Sequence, residues 1–164
     1  MGIYIALGSN LPHQHTPPKQ VITDALDELT RRGVRVVATS RLYRSPAWPD
    51  PTAPEYVNAV ARVETELHPR ALLEVLQAVE TRFGRQRSVP NASRTLDLDI
   101  VDFDGLILDE DGLTLPHPRL ADRAFVLLPL RDIAPDWVEP GDGRGLAELI
   151  GALRASDVGS TQVL

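Results

Sequence analysis

The sequence predicts an α+β fold: one antiparallel sheet with helices packed against it. Two observations point there. Stretches of period-two hydrophobicity alternate with stretches of period 3.6 in the order strand, helix, strand, strand, helix, strand. The chain has 164 residues, 43% hydrophobic and 24% charged, which suits a single domain over 1–164 with room for a sizeable core.

Residues 3–7 (Ile-Tyr-Ile-Ala-Leu) read as a short buried strand that stops at the turn formers Gly8, Ser9 and Asn10. Pro17 and Pro18 suit a helix start. Val21, Ile22, Ala25, Leu26 and Leu29 then form one apolar stripe, which Gly33 ends. Residues 34–43 alternate and are rich in β-branched types, giving a second strand. Residues 45–51 hold three prolines around Trp48: a stiff loop whose tryptophan either plugs local packing or covers a planar ligand. Residues 56–66 form the third strand, with Val57, Ala59, Ala61 and Val63 on one face and Tyr56 and Asn58 on the other.

Pro69 opens a second helix with Leu72, Val75, Leu76, Val79 and Phe83 inward and Gly84 at its end; Gln77 and Glu80 lie off that stripe. A polar loop over 85–93 leads into the fourth strand. Asp104-Gly105 and Asp111-Gly112 mark turns, and Leu115-Pro116-His117-Pro118 is extended. Residues 125–130 read as an apolar helical segment, 145–153 as one short helix, and the last ten or so residues as a loose polar tail. A βαββαβ run of this kind yields a four-stranded antiparallel sheet with two helices on one face. That is the ferredoxin-like arrangement, with a core over about 1–135 and a C-terminal extension over 136–164.

The fourth strand carries the chemistry. In Arg94-Thr95-Leu96-Asp97-Leu98-Asp99-Ile100 the apolar residues alternate with two aspartates, so both carboxylates stand on the face opposite the core. Two like charges held so close repel and call for a positive partner. Mg²⁺ is one candidate, since it takes one or two carboxylates together with substrate phosphates; nearby arginines are the other. Arg85, Arg87 and Arg94 lie just upstream, and guanidinium groups match phosphate oxygens bidentately. These arginines favour a phosphate site over an edge strand with a solvated acidic face. Tyr56 beside Asn58 offers a ring to stack on a heterocycle and an amide to read its edge.

Other classes recede. The absence of cysteine removes disulfides, thiol catalysis and thiolate zinc sites. A net charge of −6 and an aromatic fraction of 5% argue against a nucleic-acid partner. Lys19 is the only lysine, and no glycine-rich dinucleotide or P-loop fingerprint is present. No apolar run reaches the length of a membrane span and no signal pattern opens the chain, so a cytoplasmic protein without a membrane partner is expected.

Six stretches in chain order carry a family resemblance: Ala6-Leu7-Gly8-Ser9-Asn10-Leu11, Tyr43-Arg44-Ser45-Pro46, Tyr56-Val57-Asn58-Ala59, Phe83-Gly84-Arg85-Gln86-Arg87, the Arg94–Ile100 stretch above, and Leu115-Pro116-His117-Pro118-Arg119-Leu120 with Arg123-Ala124-Phe125-Val126. Together they resemble the 6-hydroxymethyl-7,8-dihydropterin pyrophosphokinase family of folate biosynthesis. The resemblance implies transfer of the diphosphate of ATP to 6-hydroxymethyl-7,8-dihydropterin, with AMP as the other product, by a monomer. It implies that Asp97 and Asp99 hold two Mg²⁺ ions. Pterin is expected between Tyr56 and Phe125, with Asn58 and the Ser45-Pro46 backbone on its polar edge. Gln77, Ile100 and Thr114 are expected around adenine and ribose. Arg85, Arg87, Arg94, His117 and Arg123 are expected at the phosphates, with Glu80 bracing that cluster and Arg85, Arg94, Asp97 and Asp99 catalytic. Asn91 stands where many members carry tryptophan, and Ser88 replaces a basic residue. The rivals are another two-metal nucleotidyl transferase, which would need a nucleic-acid groove, and a non-catalytic ferredoxin-like nucleotide- or pterin-binding module.

Overall fold

The computed structural model describes residues 1–47, 50–84 and 93–164. Its centre is β1 (Ile3–Ser9), buried on both faces because both of its alternating sets are apolar or small. β1 pairs with β4 (Tyr56–Glu64) on one side and β5 (Asp97–Phe103) on the other, both antiparallel. The six-stranded sheet runs β5-β1-β4-β3-β8, where β3 is Tyr43–Ser45 and β8 is Gln162–Val163; β2 (Arg35–Thr39) also pairs with β4.

The expected second strand is broken into β2 and β3. Pairing with β4 slips between Val36 and Ala38. In the gap Ser40 takes over, its N–H donating to the Val60 carbonyl and its Oγ accepting from the Val60 N–H, each at 2.9 Å. A serine hydroxyl thus satisfies backbone that a continuous ladder would have paired.

On one face, Ile3, Ile5, Leu7, Ala59, Ala61, Val63, Leu98 and Ile100 meet the apolar stripes of α1 (Pro18–Arg31) and α2 (Pro69–Arg82). Both helices begin on proline, and Gly33 and Gly84 follow them with φ of +85° and +81°, a conformation that costs a side chain dearly. Glu28 of α1 ties the two helices, accepting from Arg31 and Arg32 at 3.1 and 2.9 Å and facing Arg82 at 3.5 Å. The bond from Arg32 leads in holding its carboxyl below the usual range.

Helices were expected on one face only, and the other face is covered as well. There α3 (Ala124–Ile133), Trp137 and α4 (Leu146–Gly151) pack on Tyr4, Val60 and Val101. The ladder slips between Tyr4 and Ile5, so Asp102 joins Val101 on this face. Its carboxylate accepts from Trp137 Nε1 at 2.8 Å and from the Gly105 N–H at 3.0 Å, while burial pushes its pKa up. α3 and α4 leave a cavity over the stretch of sheet where the sequence put Asn58, Asp97 and Asp99.

The tail is ordered rather than loose. α5 (Ala155–Ser160) and β8 follow α4, and β8 adds an antiparallel rung to β3. The turns at 104–105 and 111–112 are as expected, the second closing a hairpin of β6 (Leu108–Glu110) and β7 (Leu113–Leu115).

Candidate active site

One cavity of about 750 Å³ opens on the uncovered part of the second face. One end is bordered by Asp97 and Asp99 with Arg94, Arg119 and Arg123; next come Ser45, Pro46, Tyr56, Asn58 and Phe125. The strand period explains the first group. Leu98 and Ile100 point into the core, so Asp97 and Asp99 must face the cavity.

The carboxylates are set among cations. Arg94 Nη1 lies 3.2 Å from Asp97 Oδ2; His117 Nε2 and Arg123 Nη1 each lie 3.9 Å from Asp99 Oδ2. Burial draws the Arg123 guanidinium below its ordinary pKa, and Asp99 opposes that shift. Burial, reinforced by Arg123, lowers His117 to about 4, so its imidazole is neutral at pH 7. His117 Nδ1 accepts from the Arg119 N–H at 3.1 Å, which assigns the single ring proton to Nε2, the nitrogen turned toward Asp99.

At the aromatic end, Asn58 is only 4% exposed yet borders the cavity. Its Nδ2 donates to Ser45 Oγ at 2.8 Å, fixing the amide and leaving one N–H and the carbonyl oxygen for a ligand. Gly8 makes room beside it: a Cβ there would stand 3.4 Å from Asn58 Oδ1 and 3.7 Å from the Tyr56 ring. Phe125, at the start of α3, sits with its ring centroid 5.5 Å from the Arg123 guanidinium. Arg123 thus links the aromatic end of the cavity to the aspartates.

Five expected site residues stand outside the cavity lining: Gln77, Glu80, Ile100, Thr114 and His117, the last beside Asp99 and Arg123 in a small adjoining pocket. Glu80 is 1% exposed on the helix side of the sheet, where its Oε2 accepts from the Leu98 N–H at 2.8 Å. It braces the aspartate strand from behind. The side chain of Ile100 is likewise in the core, so any contact with a base would come from its backbone. Gln77 is exposed on α2, and Thr114 on β7 donates to Asp109 Oδ1 at 3.3 Å. Arg85, Arg87 and Trp48 lie outside the described residues. Arg119 and Arg144 border the cavity without having been singled out as site residues. Arg119 sits in the Pro-His-Pro-Arg stretch, which was the available signal; Arg144 has none.

Among the described residues no group of three or more His, Asp or Glu side chains forms a metal cage. Two oxygen-donor carboxylates beside a space for phosphates is the donor set that Mg²⁺ accepts, so the pair fits that ion.

A sequence model of a family described as 7,8-dihydro-6-hydroxymethylpterin-pyrophosphokinase matches residues 4–135. A 2-amino-4-hydroxy-6-hydroxymethyldihydropteridine pyrophosphokinase of Pseudomonas aeruginosa is 46% identical over 151 residues, covering 92% of this chain and 90% of that protein. The folic acid synthesis protein fol1 of Pneumocystis carinii is 40% identical over 145 residues; the match spans 88% of this chain and 19% of that longer protein. Among solved structures, wild-type HPPK-DHPS of Plasmodium falciparum superposes with a TM-score of 0.67 at 14% identity, over 91% of this chain and 44% of that one. At that identity the likeness speaks for the fold alone.

Proposed function

The chain belongs to the 7,8-dihydro-6-hydroxymethylpterin-pyrophosphokinase family, and from that membership we propose that it transfers the diphosphate of ATP to 6-hydroxymethyl-7,8-dihydropterin in folate biosynthesis. The observation that carries the proposal is the single cavity joining paired aspartates and arginines to a tyrosine, a phenylalanine and an oriented asparagine amide. The hydroxymethyl oxygen of the pterin attacks the β-phosphorus of ATP. The bond from that phosphorus to the oxygen bridging the α-phosphate breaks, AMP leaves with the bridging oxygen, and the hydroxyl proton is released.

The substrate brings its own nucleophile, so positioning and charge neutralisation are what the protein must supply. Tyr56 and Phe125 hold the pterin ring, while the free N–H and carbonyl of Asn58 pair with its polar edge beside Ser45 and Pro46. Arg94, Arg119 and Arg123 meet the phosphates, and His117 donates from Nε2 without adding charge. Asp97 and Asp99 hold Mg²⁺, two ions by the family resemblance, which when bound neutralises phosphate charge and polarises the reacting phosphorus. Arg85 and Arg87 at the phosphates, and Gln77, Ile100 and Thr114 at the nucleoside, are assigned by the resemblance.

The same reading makes the chain a cytoplasmic monomer, one domain over 1–164 with a ferredoxin-like core over about 1–135 and an extension over 136–164. The antiparallel order β5-β1-β4 followed by β2 and β3 supports that core topology. Among the described residues no helix is long and apolar enough to cross a membrane. The test of activity is incubation with ATP, Mg²⁺ and the reduced hydroxymethylpterin. AMP and a pterin diphosphate are expected in equal amounts. ADP as product, or no turnover, would overturn the proposal and favour another phosphoryl transfer or a binding module.

A further inference from the structure

The cavity does not stop at Asn58 and Phe125. Its lining also includes Leu149, Leu153, Arg154, Asp157 and Thr161, all beyond residue 135, where the family match ends. This part of the lining is held by the fold. β8 pairs with β3, Leu164 N–H donates to the Leu42 carbonyl at 2.9 Å, and Arg44 Nη2 donates to Gln162 Oε1 at 2.9 Å. Between β8 and α4, Val158 of α5 packs on a small cluster of Tyr43, Ala124 and Leu128. The strand that receives β8 ends in Ser45, the partner of Asn58, and the helix under Val158 begins one residue before Phe125. The tail is therefore docked on the two elements that carry the aromatic end of the cavity. It adds apolar surface together with one carboxylate and one guanidinium, and no described residue forms an ion pair with Arg154.

We propose that residues 154–164 are a wall of the pterin pocket, and that Arg154 and Asp157 on it are positioning residues for the pterin. This rests on the reading that Tyr56, Asn58 and Phe125 receive the pterin. β8 stands at the other end of the strand order from β5, which carries Asp97 and Asp99, so the wall acts on pterin binding and leaves nucleotide binding alone. It encloses the heterocycle on a side that residues 4–135 leave open.

The test compares the full chain with a chain ending at Leu153, and with Arg154→Ala/Asp157→Ala, whose two exposed side chains can be trimmed with little risk to folding. Equilibrium binding of 6-hydroxymethylpterin and of a non-hydrolysable ATP analogue with Mg²⁺ is measured for each, beside KM and kcat. The truncated chain should bind pterin at least about tenfold more weakly and the double variant about threefold more weakly, with ATP-analogue affinity and kcat nearly unchanged. If the truncated chain does not fold, the double variant decides alone. Unchanged pterin affinity in the double variant, or equal losses for pterin and nucleotide, would overturn the inference. A full chain that binds pterin but yields no AMP would contradict the proposed activity, while the binding comparison would still decide the role of the wall.

Discussion

The two faces of β5 make the most instructive contrast in the molecule. Leu98 and Ile100 are sealed under α1 and α2, whereas Asp97 and Asp99, one residue away, stand in an open cavity among Arg94, Arg123 and His117. One face holds the strand in place by burying apolar surface. The other tolerates the repulsion of two carboxylates because the guanidinium groups of Arg94 and Arg123 stand beside them and the strand is fixed from behind. Even the buried Glu80, which accepts from the Leu98 N–H, belongs to the supporting face. Substitutions on the two faces should therefore separate stability from turnover.

The largest expected effect is on the open face. Asp97→Ala and Asp99→Ala should each abolish turnover while the protein stays folded, since each removes a metal ligand rather than core packing. Near-normal AMP formation by either variant in Mg²⁺ would break the contrast. On the sealed face, Leu98→Ala should cost roughly 2–5 kcal/mol of stability by denaturant titration, while the folded fraction keeps its activity. A catalytic loss in Leu98→Ala as deep as that of Asp99→Ala would mean that the faces are not separable.

Within the cavity, Asn58→Ala should weaken pterin binding by roughly 1–3 kcal/mol through the unpaired edge it leaves, with little effect on nucleotide affinity. Equal losses, measured by calorimetry, would assign Asn58 to holding β3 against β4. The smallest effect concerns pH. His117 stays neutral in the fold down to about 4 but protonates near 6.5 when unfolded. Between those values the unfolded state binds the extra proton, so stability falls as the pH drops through that window. In the metal-free protein, His117→Asn should flatten that part of the stability profile, and an unchanged slope would show that the imidazole is not held neutral.

Much of this was legible in the sequence because a period of two is unambiguous: Asp97 with Asp99, and Tyr56 with Asn58, had to share faces. The cover on the second face was not legible. Tyr4, Ala6 and Val60 are as suited to burial as their neighbours, and a strand apolar on both sides does not say what packs on it. The resemblance puts Glu80 beside the phosphate cluster, and nothing local announces that a glutamate will be buried to satisfy a backbone N–H on another element. The ordered tail was hidden for a similar reason. β8 is two residues long and is held by the edge of β3, so it leaves no periodic mark.

The most direct test of the account is calorimetric titration of a non-hydrolysable ATP analogue into the protein and into Asp99→Ala, with and without Mg²⁺. The account predicts that Mg²⁺ strengthens binding to the parent by at least about tenfold and that Asp99→Ala loses most of this gain. Equal affinity for the analogue with and without Mg²⁺ in the parent, or an undiminished gain in Asp99→Ala, would contradict it.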